Sequence, residues 1–161
     1  MDRALLTTAA VLLLAAYAFC RSALLHVSAL LAVALATVSW AAWWAGQLRG
    51  VENPSLAVGL ALGVVAGGWA AATAVGWFDE RRVGLMAAYG TGFVAAEIVA
   101  GGSTSTAVAT IAYLALAALS ITGFVGYVRT RFVGHLVIAV VALGTVVPQA
   151  VLDWTDGAFG A

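Results

Sequence analysis

The chain has no lysine, one cysteine and two prolines in 161 residues. Each scarcity excludes something. The lone thiol, Cys20, cannot form an intrachain disulfide or a CxxC redox or zinc motif. Seven arginines balance seven acids, so the net charge is zero and no basic surface for nucleic acid exists. Charged residues make up only 9% of the chain, against about 25% in a soluble domain. Catalytic signatures are also missing: there is no HExxH, no Walker loop and no paired aspartate motif. Gly101-Gly102-Ser103 lacks the strand–helix context of a nucleophile elbow. Nothing in the sequence argues for an enzyme, and it specifies no metal or cofactor.

What the chain does have is apolar length. Hydrophobic residues reach 64%, and the mean hydropathy is +1.07. From Ala4 to Gly46 the only charge is Arg21. As one helix this run would measure about 63 Å, roughly twice the hydrocarbon thickness of a bilayer. It must fold back on itself, and Arg21 marks the place. Comparable runs continue to residue 152. They are continuously apolar rather than alternating, which implies helices and not a barrel. The prediction is an all-α, polytopic integral membrane helix bundle, one transmembrane domain over 1–161. Six spans are expected, near 4–20, 22–45, 55–77, 83–100, 106–127 and 132–151. The Cys20–Ser22 turn is the weakest boundary, and a broken first segment would leave five. No A-x-A cleavage site separates the first run from a polar region, so it is expected to stay as a helix rather than act as a signal.

The breaks carry stop and start chemistry. Asn53 reads as an N-cap with Pro54 at the first helical position. Gly101 and Gly102 end the fourth helix, and Ser103–Thr106 offers caps for the fifth. With six spans, Arg21, Arg81, Arg82, Arg129 and Arg131 share one side, and Arg3 and Arg49 the other. The positive-inside rule then puts the arginine-rich loops in the cytoplasm of a cell-membrane protein. Both termini face outward, beside Asp153 and Asp156. Trp40, Trp43, Trp44 and Trp154 fall at the outer interface, and Trp77, Phe78, Tyr127 and Phe132 at the inner one.

Small residues recur every four positions at Gly59, Gly63 and Gly67, and again at Gly84, Ala88, Gly92, Ala96 and Ala100. Such stripes let helix backbones approach closely in lipid. The third and fourth helices are expected to pack along them, or to present them to a second protomer or a partner subunit. An internal echo pairs Tyr17, Arg21 and His26 with Tyr127, Arg131 and His135 across two helix–helix turns.

Few residues are left that could carry chemistry. Glu97 is the one acid well inside a span, and Tyr89, Phe93 and Glu97 form an i, i+4 stripe aimed into the bundle. It is the candidate outer ion or proton group, with Gly101–Thr106 nearby. His26 and His135 sit at matching depth, with Arg131 close in sequence, and form a candidate inner polar layer. Were the second and sixth helices neighbours, the two imidazoles could ligate one haem iron. Pro148 removes a helical hydrogen bond to Gly144 and gathers Gln149 and Asp153 beyond it. Three classes of function fit: a transporter or channel for an ion or small solute, a scaffolding membrane subunit, and a haem-carrying electron-transfer subunit.

Overall fold

The computed structural model describes residues 2–47, 53–102 and 105–159, with 156–159 as backbone only. Arg49, Ser103, Thr104 and the Asp156 side chain lie outside the described residues. Among the described residues there are six helices: α1 Arg3–Cys20, α2 Ala23–Gln47, α3 Pro54–Ala74, α4 Arg81–Gly101, α5 Thr106–Thr130 and α6 Val133–Phe159. All six are long and apolar enough to cross a bilayer. The protein is a polytopic helical membrane bundle. The first apolar run forms two separate helices, so the five-span alternative does not arise.

Two of the turns are built alike. Arg21 (φ 37°) and Arg131 (φ 54°) both adopt the left-handed conformation. Their N–H groups donate to Tyr17 O at 2.8 Å and Tyr127 O at 2.7 Å. Each arginine is thus a left-handed C-cap that closes one helix two residues before the next begins. The Tyr–Arg echo in the sequence is the signature of this shared turn. Glycine would serve at lower backbone cost.

Three helix ends differ from expectation by three residues or more, and the fifth helix reaches Thr130 instead of 127. The third helix stops at Ala74 because Gly76 (φ 86°) turns the chain. Gly76 and Trp77 N–H groups donate to Thr73 O (3.2 Å) and Ala72 O (3.0 Å), the Schellman pattern. The last helix runs through Pro148 to Phe159, beyond the apolar segment. Asn53 and Pro54 do stand at the start of α3, but Asn53 caps no N–H with its side chain; its Oδ1 instead accepts from Ser55 Oγ at 3.2 Å.

α4 is the central helix. It packs on α2, α3, α5 and α6, whereas α1 packs substantially on α2 alone. The buried core is rich in alanine, including Ala29, Ala88, Ala95, Ala96, Ala112, Ala139 and Ala142. Small side chains let the backbones close up, as helices in lipid require. The most extensive pairing is α3 with α4. At Gly59 a Cβ would collide with Val99 and lie 2.8 Å from Ala95 O. At Gly84 a Cβ would lie 2.5 Å from Thr73 Oγ1 and 2.9 Å from His26 Cε1. At Gly92 a Cβ would make ordinary contacts with Ala66 and Leu119.

Gly63 and Gly67 correct the expected stripe: nothing lies within 4 Å of a Cβ at either. Four residues turn a helix by about 40° beyond one full turn. A four-residue stripe therefore spirals off a straight contact line, and only its first member, Gly59, meets α4. On α4 the equivalent stripe stays covered because neighbours surround that helix. A close approach that the stripes did not reveal joins α5 to α6, where a Cβ at Gly123 would lie 2.7 Å from His135 O.

These geometries separate the glycines by experiment. Gly84→Ala should destabilise the protein by about 1–3 kcal/mol through overpacking. Gly63→Ala should be neutral or stabilising by up to about 1 kcal/mol through helix propensity. Thermal unfolding in detergent checks both.

Candidate functional site

The first polar cluster lies at the end bearing Arg21, Arg81 and Arg82. His26, in the first turn of α2, is fully buried. Its Nε2 accepts from Trp69 Nε1–H at 2.7 Å. An indole nitrogen only donates, so the neutral imidazole must carry its proton on Nδ1. That nitrogen faces Glu80 Oε2 at 3.8 Å, too far for a direct hydrogen bond. His26 Nδ1, Glu80 Oε2 and Tyr17 Oη are all buried without a hydrogen-bond partner.

Aromatic rings enclose the imidazole. Phe78 lies 4.4 Å from His26 and stacks on Trp69 at 4.8 Å, and Tyr17 lies 5.0 Å from His26 (ring centroids). The Gly76 turn folds Phe78, expected at the inner interface, over the histidine. Outside this cluster, Arg21 Nη1 donates to both carboxylate oxygens of Asp79 at 2.9 Å. This hydrogen bond and the attraction to Asp79 push the Arg21 pKa up, so the guanidinium stays charged. The pair is exposed and ties the α1–α2 turn to the α3–α4 turn; its role is alignment more than stability.

The second polar series runs along α4, α5 and α6. The stripe Tyr89–Phe93–Glu97 faces this half of the bundle. The Tyr89 ring meets His135 edge-on at 5.9 Å, and Phe93 packs against the core of Ala96, Leu116 and Val146. Glu97 Oε2 accepts from Gln149 Nε2 at 3.3 Å. The remaining oxygens, Glu97 Oε1 and Gln149 Oε1, are buried and unpartnered. Beyond them Tyr113 Oη donates to Asp153 Oδ2 at 2.5 Å. Thr106, Thr110, Tyr113, Asp153 and Trp154 line an open cavity of about 470 Å³ at this end of the bundle.

The other candidates are placed as follows. His135 is buried, 3.4 Å from Thr130 Oγ1 through Nδ1 and pressed against Gly126. Arg131 caps α5 and lies over the Tyr127 ring at 5.9 Å. α2, which carries His26, does not pack substantially on α6, which carries His135. With His26 Nε2 also held by Trp69, the pair does not fit a two-histidine iron site. Among the described residues no group of three or more His, Cys, Asp or Glu could hold a metal ion.

Trp69, Tyr113 and the inward Phe78 escaped the sequence reading. Trp69 had a usable signal, since it stands eight residues inside the end of the expected 55–77 span rather than beside a loop. In comparisons with known proteins, the chain matches no family model, no curated protein and no solved structure.

Trp69→Phe should cost about 1–3 kcal/mol of stability beyond lost packing, because it orphans a buried acceptor. A double-mutant cycle with His26→Leu, read by thermal unfolding, should return a coupling of about 0.5–3 kcal/mol. Additive effects would contradict the hydrogen bond.

Proposed function

We propose that the protein is a small membrane transporter or channel that passes a proton or small cation through α4, α5 and α6. The observation that carries this reading is the Glu97–Gln149 pair. One hydrogen bond joins the two side chains, and it leaves two buried acceptor oxygens facing no donor. Buried acceptors without donors are costly in lipid. A proton on Glu97, or a cation beside it, satisfies both oxygens.

The surroundings support a path. The outer cavity is lined by Tyr113 and Asp153, and the Tyr113 hydroxyl is within electrostatic reach of Glu97. The Tyr89–His135 layer stands eight residues along α4 from Glu97, about 12 Å away. Phe93, Leu116 and Val146 separate the two as an apolar barrier. Glu97 is then the outer group, His135 the inner one, and Arg131 a fixed charge at the inner mouth. His26 lies in the other half of the bundle and serves as a buried anchor for the α3–α4 turn.

A scaffolding role is the second reading, and one observation favours it. Gly63, Gly67 and Gly68 on α3 have open space around them, a surface on which another helix of this chain or of a partner subunit could pack closely.

Purified protein in liposomes should show proton or cation flux that falls at least about tenfold with Glu97→Gln. Unchanged flux would remove Glu97 from the mechanism. Co-purification of an unrelated chain in mild detergent, lost with Gly67→Leu, would favour the scaffold.

The arginine-rich end is proposed to be cytoplasmic, with both termini outside. Cys20 tests this directly, since it is exposed at that end and is the sole thiol. A membrane-impermeant maleimide should label it in inverted vesicles and not in intact cells. The reverse pattern would invert the topology.

A further inference from the structure

Apart from the polar clusters, a long open groove runs beside α2 with α4 as its floor, and at one end it reaches Phe132 of the α5–α6 turn. Its longer part, about 330 Å³, is walled by Leu30, Ala34 and Val38 of α2 and floored by Ala87, Gly90 and Val94. A second part, about 560 Å³, continues from the shared residues Val27 and Ala87 to Met86, Phe132 and Arg82. From Val83 to Ile98 the floor runs for about 22 Å. Half of the hydrocarbon core is only about 15 Å. The walls are almost wholly apolar, so an acyl chain fits the length and the chemistry.

Charge identifies the head of the occupant. Arg82 is exposed at the mouth, stacked over the Phe132 ring at 5.3 Å. It has no carboxylate partner among the described residues, while Arg21, at the same end, is paired with Asp79. Asp79 is thereby engaged, and Glu80 is turned toward His26. Arg129, in the last turn of α5, and Arg131, its C-cap, add positive charge next to Phe132 in the chain. We infer that this groove binds an anionic phospholipid, with one acyl chain lying along α4 and the phosphate on Arg82. Basic recesses between transmembrane helices are suited to such headgroups. The inference is independent of the transport reading.

Gly90 provides a clean test. A Cβ there meets nothing within 4 Å, so Gly90→Leu starts from open space, carries its side chain into the groove and raises helix propensity. Gly68 is equally open but lies on α3, outside the groove, so Gly68→Leu is the control. Purified protein is mixed with phosphatidylglycerol or phosphatidylcholine in detergent, and retained lipid is counted by native mass spectrometry. One phosphatidylglycerol should be retained in preference to phosphatidylcholine. Arg82→Gln should weaken it about fivefold, the worth of one arginine at a lipid headgroup. Gly90→Leu should abolish retention, and Gly68→Leu should leave it unchanged. Equal retention of the two lipids, or retention unaffected by Arg82→Gln or by Gly90→Leu, would overturn the proposal. Thermal unfolding of each variant confirms that it is folded.

Discussion

Close backbone contact holds this protein together. In hydrocarbon a leucine gains little by leaving lipid for protein, so helices associate through dispersion, shape and the few hydrogen bonds between them. The chain meets that requirement with alanine and glycine where helices cross. Gly59 against Val99, Gly84 against Thr73 and His26, and Gly126 against His135 leave no room for a methyl group. Both buried histidines sit at such crossings. The absent glycine side chain creates the space that each imidazole occupies, and packing and polar chemistry are therefore set by the same positions.

The second organising fact is the placement of α4. It belongs at once to a group with α2 and α3 and to a group with α5 and α6. Each group has its own polar interior. One encloses His26 with Trp69 and Glu80, and the other carries His135, Glu97 and Gln149. The residues of α4 divide accordingly: Gly84 turns to the first group, and Tyr89, Phe93 and Glu97 to the second. Unmatched hydrogen-bonding capacity occurs in both interiors. The second leads toward a polar cavity lined by Tyr113 and Asp153 at its far end.

Much of this was legible in the residues. Helix number, the Pro54 start, the Gly101–Gly102 stop and the inward aim of the Glu97 stripe follow from local chemistry and helical period, which one chain expresses directly. The Tyr–Arg echo was legible too, although its meaning, a pair of left-handed arginine caps, needed backbone angles. What stayed hidden depends on contacts distant in sequence. No pattern near Trp69 announces a histidine 43 positions earlier. Phe78 has the composition of an interfacial anchor until the Gly76 turn redirects it. Gly63 and Gly67 match Gly59 in spacing, and only the curvature of the contact line separates them.

The two arginine-capped turns have a mechanical consequence. Three Cα–Cα steps join Cys20 to Ala23, and three join Thr130 to Val133. Such a link reaches about 11 Å when fully stretched, hardly more than the 8–10 Å or so between the axes of packed helices. Neither hairpin can splay open at that end. Each is a stiff two-legged strut, so sliding or rocking between the halves of the bundle must be taken up elsewhere along the chain.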